Sequence, residues 1–215
     1  MVKIITIERE YGCGGGEIAE MLAKRLGWKL WDHLLTEEIA RLANCPKSVV
    51  ETREERTDPL YYRLFKSFLR GSYEGSINAH KLNLVDSETI LRLTKRVVEH
   101  AAERGNCVIV GRGSQQFLKN RSDTLRFFLY GSRDAKVRRL LGRGKSEDEA
   151  QHLVDTVDRE RADFIQKYFM AEWPRRELYQ GMLNTDIGDD GVVEIILSFK
   201  RSCESIPGHC ASTPA

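Results

Sequence analysis

Ile4-Ile5-Thr6-Ile7-Glu8-Arg9-Glu10-Tyr11-Gly12-Cys13-Gly14-Gly15-Gly16-Glu17-Ile18-Ala19 is the stretch that decides the fold of this chain. A β-branched run enters a turn holding four glycines, and an amphipathic segment leaves it. A strand, turn and helix of this kind form a cradle for an anion. Glycine takes positive φ without steric penalty and lets the backbone approach a ligand closely. The helix start aims its unpaired N–H groups and positive dipole end at a phosphate. The Walker A pattern G-x-x-x-x-G-K-[ST] is nevertheless incomplete. Laid over it, Arg9 stands at the first glycine, Gly14 at the second, Gly15 at the lysine and Gly16 at the hydroxyl residue. Gly14-x-Gly16-x-x-Ala19 also matches a dinucleotide fingerprint, with Asp32 where a ribose-binding acid would sit. With the first strand read as Lys3–Ile7, Glu8 to Tyr11 separate it from Gly12, a spacing that favours the longer phosphate loop.

Outward from this motif, strands and helices alternate. Ile18, Leu22 and Leu26 share one face of a helix from about Gly15 that ends at Gly27. Trp28–Trp31 is a second short strand, closed by Asp32. Helices are expected over about Leu34–Ala43, Lys47–Arg56 and Pro59–Arg70, then a polar loop from Gly71 to Asp86. Ser87 is placed to cap a helix that stops at Gly105. Cys107–Val110 and Leu125–Tyr130 read as buried parallel strands with a short helix between them. Ser146 with Glu149 forms a capping box opening a long helix to about Met170. Met182–Asn184 is the last strand and Val192–Arg201 the last helix. This alternation predicts a parallel α/β sheet whose ligands bind at the carboxyl ends of the strands.

Composition bounds the rest. The chain has 215 residues, enough for one substantial core, and 34 basic against 32 acidic side chains give no general case for nucleic acid or a membrane surface. No segment is long and apolar enough to span a bilayer, and Lys3 and Glu8 interrupt the N-terminal apolar run as no signal peptide would. Five scattered cysteines without C-x-x-C spacing fit reduced cytoplasmic thiols rather than a disulfide frame or zinc site. Cys13, at a helix N-terminus, is expected to have a lowered thiol pKa, as a redox sensor would need, but a small residue tolerated in a glycine turn is the preferred reading. Cys203 with His209 and Cys210 lies in the tail 202–215, expected to be disordered. Leu60, Tyr61, Leu64, Phe65, Phe68 and Leu69 form an amphipathic set suited to the core or to a homodimer contact.

Three further motifs carry charge. Arg112, between Gly111 and Gly113 at the end of an apolar strand, can reach a phosphate bidentately. Arg133, Lys136, Arg138, Arg139 and Arg143 crowd the next segment. Arg139 and Arg143 share a helical face by i, i+4 spacing, where like charges repel unless an anion relieves them. Asp155, Asp158, Arg159, Glu160, Arg161 and Asp163 are either an exposed salt-bridge lattice, worth roughly 0–1 kcal/mol per pair, or a set whose arginines close over a transferring phosphoryl group.

Together, "ITIEREYGCGGGEIA", "WDH", "CVIVGRGSQQFL", "RFFLYGSRDAKVRRLLGR" and "DRERADFIQKYF…W…Y…LNT" resemble the cytidylate kinase-like family over nearly the whole of 1–201. The resemblance implies a single P-loop kinase-like domain. It has a three-layer α/β fold around a parallel sheet, a helical monophosphate-binding insertion over about 34–86 and a lid over about 143–170. It implies transfer of the ATP γ-phosphoryl to a nucleoside monophosphate, CMP or another pyrimidine nucleotide, with a catalytically silent nucleotide-binding relative as the alternative. Gly12, Cys13, Gly14, Gly15, Gly16 and Glu17 would hold the donor phosphates, with Arg9 standing in for the lysine and Arg139 and Arg143 on the ATP side. Arg159 and Arg161 match lid arginines, and Asp32 and Arg112 fall at the acceptor. Members commonly carry arginine where this chain has Gly16. Mg²⁺ would enter with ATP, held through water by Glu17, Asp32 or Asp186, and no dedicated metal site is expected.

Overall fold

The computed structural model describes residues 1–42 and 87–205. Five strands form one parallel sheet: β1 (Ile4–Arg9), β2 (Lys29–Trp31), β3 (Cys107–Val110), β4 (Thr124–Tyr130) and β5 (Gly181–Asn184), in the order β2-β3-β1-β4-β5. The helices are α1 (Gly15–Leu26), α2 (His33–Leu42), α3 (Ser87–Arg104), α4 (Ser114–Phe117), α5 (Arg133–Gly142), α6 (Glu147–Phe169) and α7 (Asp189–Ser205). The expected helices over 47–56 and 59–70, and the set from Leu60 to Leu69, lie outside the described residues.

Two-residue periodicity builds the three layers. On β1 and β3, Ile4, Cys107 and Ile109 turn to one face, where Leu35, Val97, Val98, Phe164 and Ile165 from α2, α3 and α6 cover them. Ile5, Ile7, Val108 and Val110 turn to the other, against Ile18 and Leu22 of α1 and Val192, Val193 and Ile196 of α7. A satellite cluster of Tyr11, Val137, Leu140, Ala150, Val154 and Val157 fastens α5 and α6 to the glycine turn. Ser146 caps α6 as its sequence foretells, accepting from the Glu149 amide at 3.2 Å. Among the described residues, no helix is long and apolar enough to cross a membrane.

Two boundaries differ from expectation. α7 continues to Ser205, so the first residues of the expected disordered tail are helical. β1 runs through Glu8 and Arg9 rather than stopping at Ile7. Both charges are buried yet satisfied: the Glu8 carboxylate accepts from Gln115 Nε2 at 2.6 Å and from the Arg9 amide at 3.1 Å, and pairs with the Arg9 guanidinium at 3.4 Å. Only Glu10 and Tyr11 then separate the strand from Gly12, so loop length does not discriminate a phosphate loop from a dinucleotide turn. Strand order does. The dinucleotide fold sets its second strand beside the first, whereas here β3 lies between β2 and β1.

Candidate active site

The glycine turn closes around a small cleft lined by Arg9, Glu10, Tyr11, glycines 12 and 14–16, Glu17, Arg143 and Arg161. Gly14 occupies the N-cap of α1 at φ 86°, and no side chain caps the helix there. Its first-turn residues therefore line the cleft with backbone, as an anion site requires. The turn is also a close approach. A β-carbon on Gly12 (φ 80°) would stand 3.2 Å from Lys136 Cβ, and one on Gly14 would enter the Arg139 guanidinium.

Arg9 is the centre of the arrangement. It leaves the carboxyl end of β1 and is 4% exposed. Its Cβ and Cγ lie where a Gly15 side chain would start, 2.8 Å from that site, and its Nη1 lies against Gly111. One side chain thus runs from the glycine turn, where its stem packs, to the turn after β3, where its guanidinium lies. That turn, Gly111-Arg112-Gly113, holds three consecutive left-handed residues with φ of 62°, 55° and 66°. Its backbone carries Arg112 inward, where Nη1 donates to Asp32 Oδ1 at 3.0 Å and to the Val110 carbonyl at 3.1 Å. Burial pulls the Arg112 guanidinium below its usual range, and Asp32 opposes that shift. The two residues expected at the acceptor therefore meet, across the ends of β2 and β3.

The remaining expected residues divide. Arg161 is buried and reaches the cleft, donating to the Arg9 carbonyl at 2.9 Å and to Asp158 at 3.2 Å. Burial, then the neighbouring Arg9, lower its pKa to about 10. Arg159 is exposed on α6 and does not line the cleft. Arg139 forms a bidentate pair with Asp189 at 2.9 and 2.7 Å, and Arg143 pairs with Glu17. Each of those two arginines thus meets a carboxylate of its own, and α5 ends at Gly142, so Arg143 is its C-cap. Cys13 reverses the expected lowering of its pKa and fits the preferred reading of a small residue in the turn. The thiol is buried and donates to the Leu129 carbonyl at 3.6 Å, and burial pushes its pKa up to about 12 despite the helix start. It fills space beneath the loop and is not a reactive thiolate.

The proposed magnesium ligands are dispersed. Glu17 is engaged by Arg143, Asp32 by Arg112, and Asp186 accepts from the Ser132 amide at 3.2 Å. Among the described residues no three His, Cys, Asp or Glu side chains gather as a metal site, and the turn offers no hydroxyl after its glycines. Among the described residues, these three carboxylates are thus each engaged by a partner of their own.

Sequence reading missed several contributors. Asp158 was visible only as one member of a charge lattice, although its i, i+3 spacing to Arg161 places both on one helix face. Lys136, counted in a basic run, turns inward to Glu10 at 2.8 Å. Glu8 and Gln115 carried no signal of their pairing, which joins residues 107 positions apart.

The model of the cytidylate kinase-like family matches residues 4–187, which include the glycine turn, the Gly-Arg-Gly turn and α6. The chain belongs to the cytidylate kinase-like family. Solved structures agree on a P-loop kinase fold. An uncharacterised protein from Eubacterium ventriosum superposes with TM-score 0.66 at 21% identity, covering 94% of this chain and 99% of its own. Shikimate kinase from Bacteroides thetaiotaomicron gives 0.53 at 17%, covering 93% and 98%. Shikimate kinase from Acinetobacter baumannii, solved with shikimate, gives 0.53 at 16%, covering 94% of each chain. No curated protein matches the chain. The three-layer α/β architecture expected from the sequence is therefore that of P-loop kinases, and the family marks the chain as a kinase-type phosphotransferase.

Proposed function

We propose that this member of the cytidylate kinase-like family transfers the γ-phosphoryl of ATP to a nucleoside monophosphate, CMP or another pyrimidine nucleotide. The observation that carries the reading is Arg9, held between Gly15 of the donor loop and Gly111 of the acceptor turn. Its stem packs at Gly15 and its guanidinium reaches Gly111, so the cation stands beside the turn after β3 and would take over the charge of the missing loop lysine. Arg161 supplies a second cation from α6, which acts as the lid helix. Phosphoryl transfer needs little beyond alignment and charge stabilisation. The amides of residues 14–17 hold the donor, Arg9 and Arg161 stabilise the charge on the transferring oxygens, and Arg112, fixed by Asp32, orients the acceptor. ATP would enter as its magnesium complex, whose ion would supply charge neutralisation at the donor phosphates.

Incubation of the protein with MgATP and each nucleoside monophosphate in turn, with chromatography of the products, tests this. Diphosphate formed from a pyrimidine monophosphate, and lost in Arg9→Met, is the expected outcome. Nucleotide binding without product would make the chain a catalytically silent relative, a reading favoured by the carboxylates Glu10 and Glu17, which line the same cleft. Neither binding nor product would overturn the nucleotide reading.

A further inference from the structure

The glycine turn is held from behind by one carboxylate. Asp158, on the inward side of α6, accepts from the Tyr11 amide at 2.8 Å and from Arg161 Nη1 at 3.2 Å. Lys136 Nζ, from α5, stands 3.8 Å from its second oxygen. Lys136 in turn donates to Glu10 Oε2 at 2.8 Å, and its β-carbon backs Gly12. A lattice on a helix surface has no such reach. One turn away on the same helix, Asp155 pairs with Arg133 at 2.9 Å with both side chains about half exposed. Asp158 instead joins three elements: the loop backbone, α5 and the helix that carries Arg161.

We propose that Asp158 is a positioning residue for phosphoryl transfer, its single carboxylate fixing the Tyr11 amide and the Arg161 guanidinium together so that donor loop and α6 form one rigid receptor for the donor phosphates. The inference rests on the phosphotransferase reading given above. A loop with glycine in place of its lysine depends on a cation brought from elsewhere, and that cation is useful only if its angle to the loop is fixed. Arg161 cannot be held by the cleft itself, because its other acceptor is the neutral carbonyl of Arg9. The charged groups facing Asp158 are Arg161 on its own helix, Lys136 on α5, and Arg9 and Glu10 on β1 and the loop. Burial raises its pKa to about 6, with Arg161 and Lys136 opposing. Protonation leaves an oxygen for the Tyr11 amide but removes the charge that aims Arg161.

Asp158→Asn keeps the acceptor oxygen and the volume, and so isolates the charge. Its kcat is expected to fall about 10–100-fold, as for loss of a charge-assisted hydrogen bond in the transition state, while the KM for ATP changes less. The wild-type kcat should show an acid limb near pH 6 that the variant lacks, with Asp158→Glu recovering part of the rate. A variant with unchanged kcat and an intact acid limb overturns the proposal. Amide exchange at Tyr11, read without nucleotide, is independent of catalysis. It should be slow in the wild type and fast in Asp158→Ala, and equal protection in both would also overturn the proposal. A wild type that makes no diphosphate but shows this exchange difference would refute the kinase reading while leaving the loop–helix tie standing.

Discussion

The sides proposed for donor and acceptor both hold arginine–carboxylate pairs, but in opposite settings. At the acceptor side, the Arg112 and Asp32 side chains are 1% and 7% exposed. At the donor side, Arg139 and Asp189 are 29% and 24% exposed, and Arg143 and Glu17 are 34% and 31%. A pair sealed from water cannot exchange partners without leaving a bare charge in the interior. A pair in partial contact with water can open toward an arriving phosphate for little, because solvent screens what is given up. The acceptor pair is therefore framework and the donor pairs are releasable contacts. Arg9, buried but shared between the two sides, belongs to both.

The largest test of this contrast is Arg112→Ala. It strands Asp32 in the interior and should destabilise the protein by about 3–5 kcal/mol, read as a large fall in thermal midpoint. A fall no greater than that of an Arg143 variant would erase the distinction between the sides. Arg9→Met comes next. It should lower kcat/KM for ATP by about 10–100-fold, the value of one charge-assisted contact, and a rate within a factor of about two of the wild type would remove Arg9 from the shared position.

The acidity of Asp158 gives a third effect. Its carboxyl has an ordinary pKa of 3.8, and burial raises it to about 6 in the fold. Between those values the folded protein holds a proton that the unfolded chain has lost. Its favourable contribution is thus complete below 3.8 and is lost as pH rises through about 6. Urea unfolding should show the stability of the wild type, relative to Asp158→Asn, decreasing from about pH 4.5 to about pH 7. A constant difference would mean that the carboxylate is ionised throughout. Smallest is Arg143→Ala, expected to change stability by no more than about 0.5 kcal/mol and to raise the KM for ATP only a fewfold.

What the sequence disclosed follows a physical division. The apolar runs at Ile4, Cys107 and Leu125, the glycines at 12–16 and the Ser146 cap are local signals, and each marked its element to within a residue or two. The strand end at Ile7 is misplaced because Glu8 and Arg9 look like solvent-facing charges, while Gln115, distant in sequence, and their own pairing help to satisfy them in the interior. Cys13 failed for the same reason. A helix start lowers a thiol pKa, but whether water reaches the sulfur depends on packing beneath Leu129. Asp32 and Arg112 were each legible as strand-end residues, and their meeting required β2 and β3 to be neighbours. Arg126 shows the limit most plainly. Set within the run Thr124–Tyr130, it is fully buried, with Nε donating to the Leu178 carbonyl at 2.8 Å, and no pattern along the chain distinguished it.

The contact between Arg9 and Gly15 also constrains how this loop can change. A lysine at position 15 would restore the missing Walker residue, yet its β-carbon would lie 2.8 Å from both Cβ and Cγ of Arg9. The obstruction is the stem of the arginine next to its own backbone, not a flexible tip that can swing aside. Lysine at 15 and arginine at 9 are therefore alternatives and not additions. The glycine that looks like a lost catalytic residue is, in this arrangement, the half of a substitution pair that keeps the chain in its own region of sequence space.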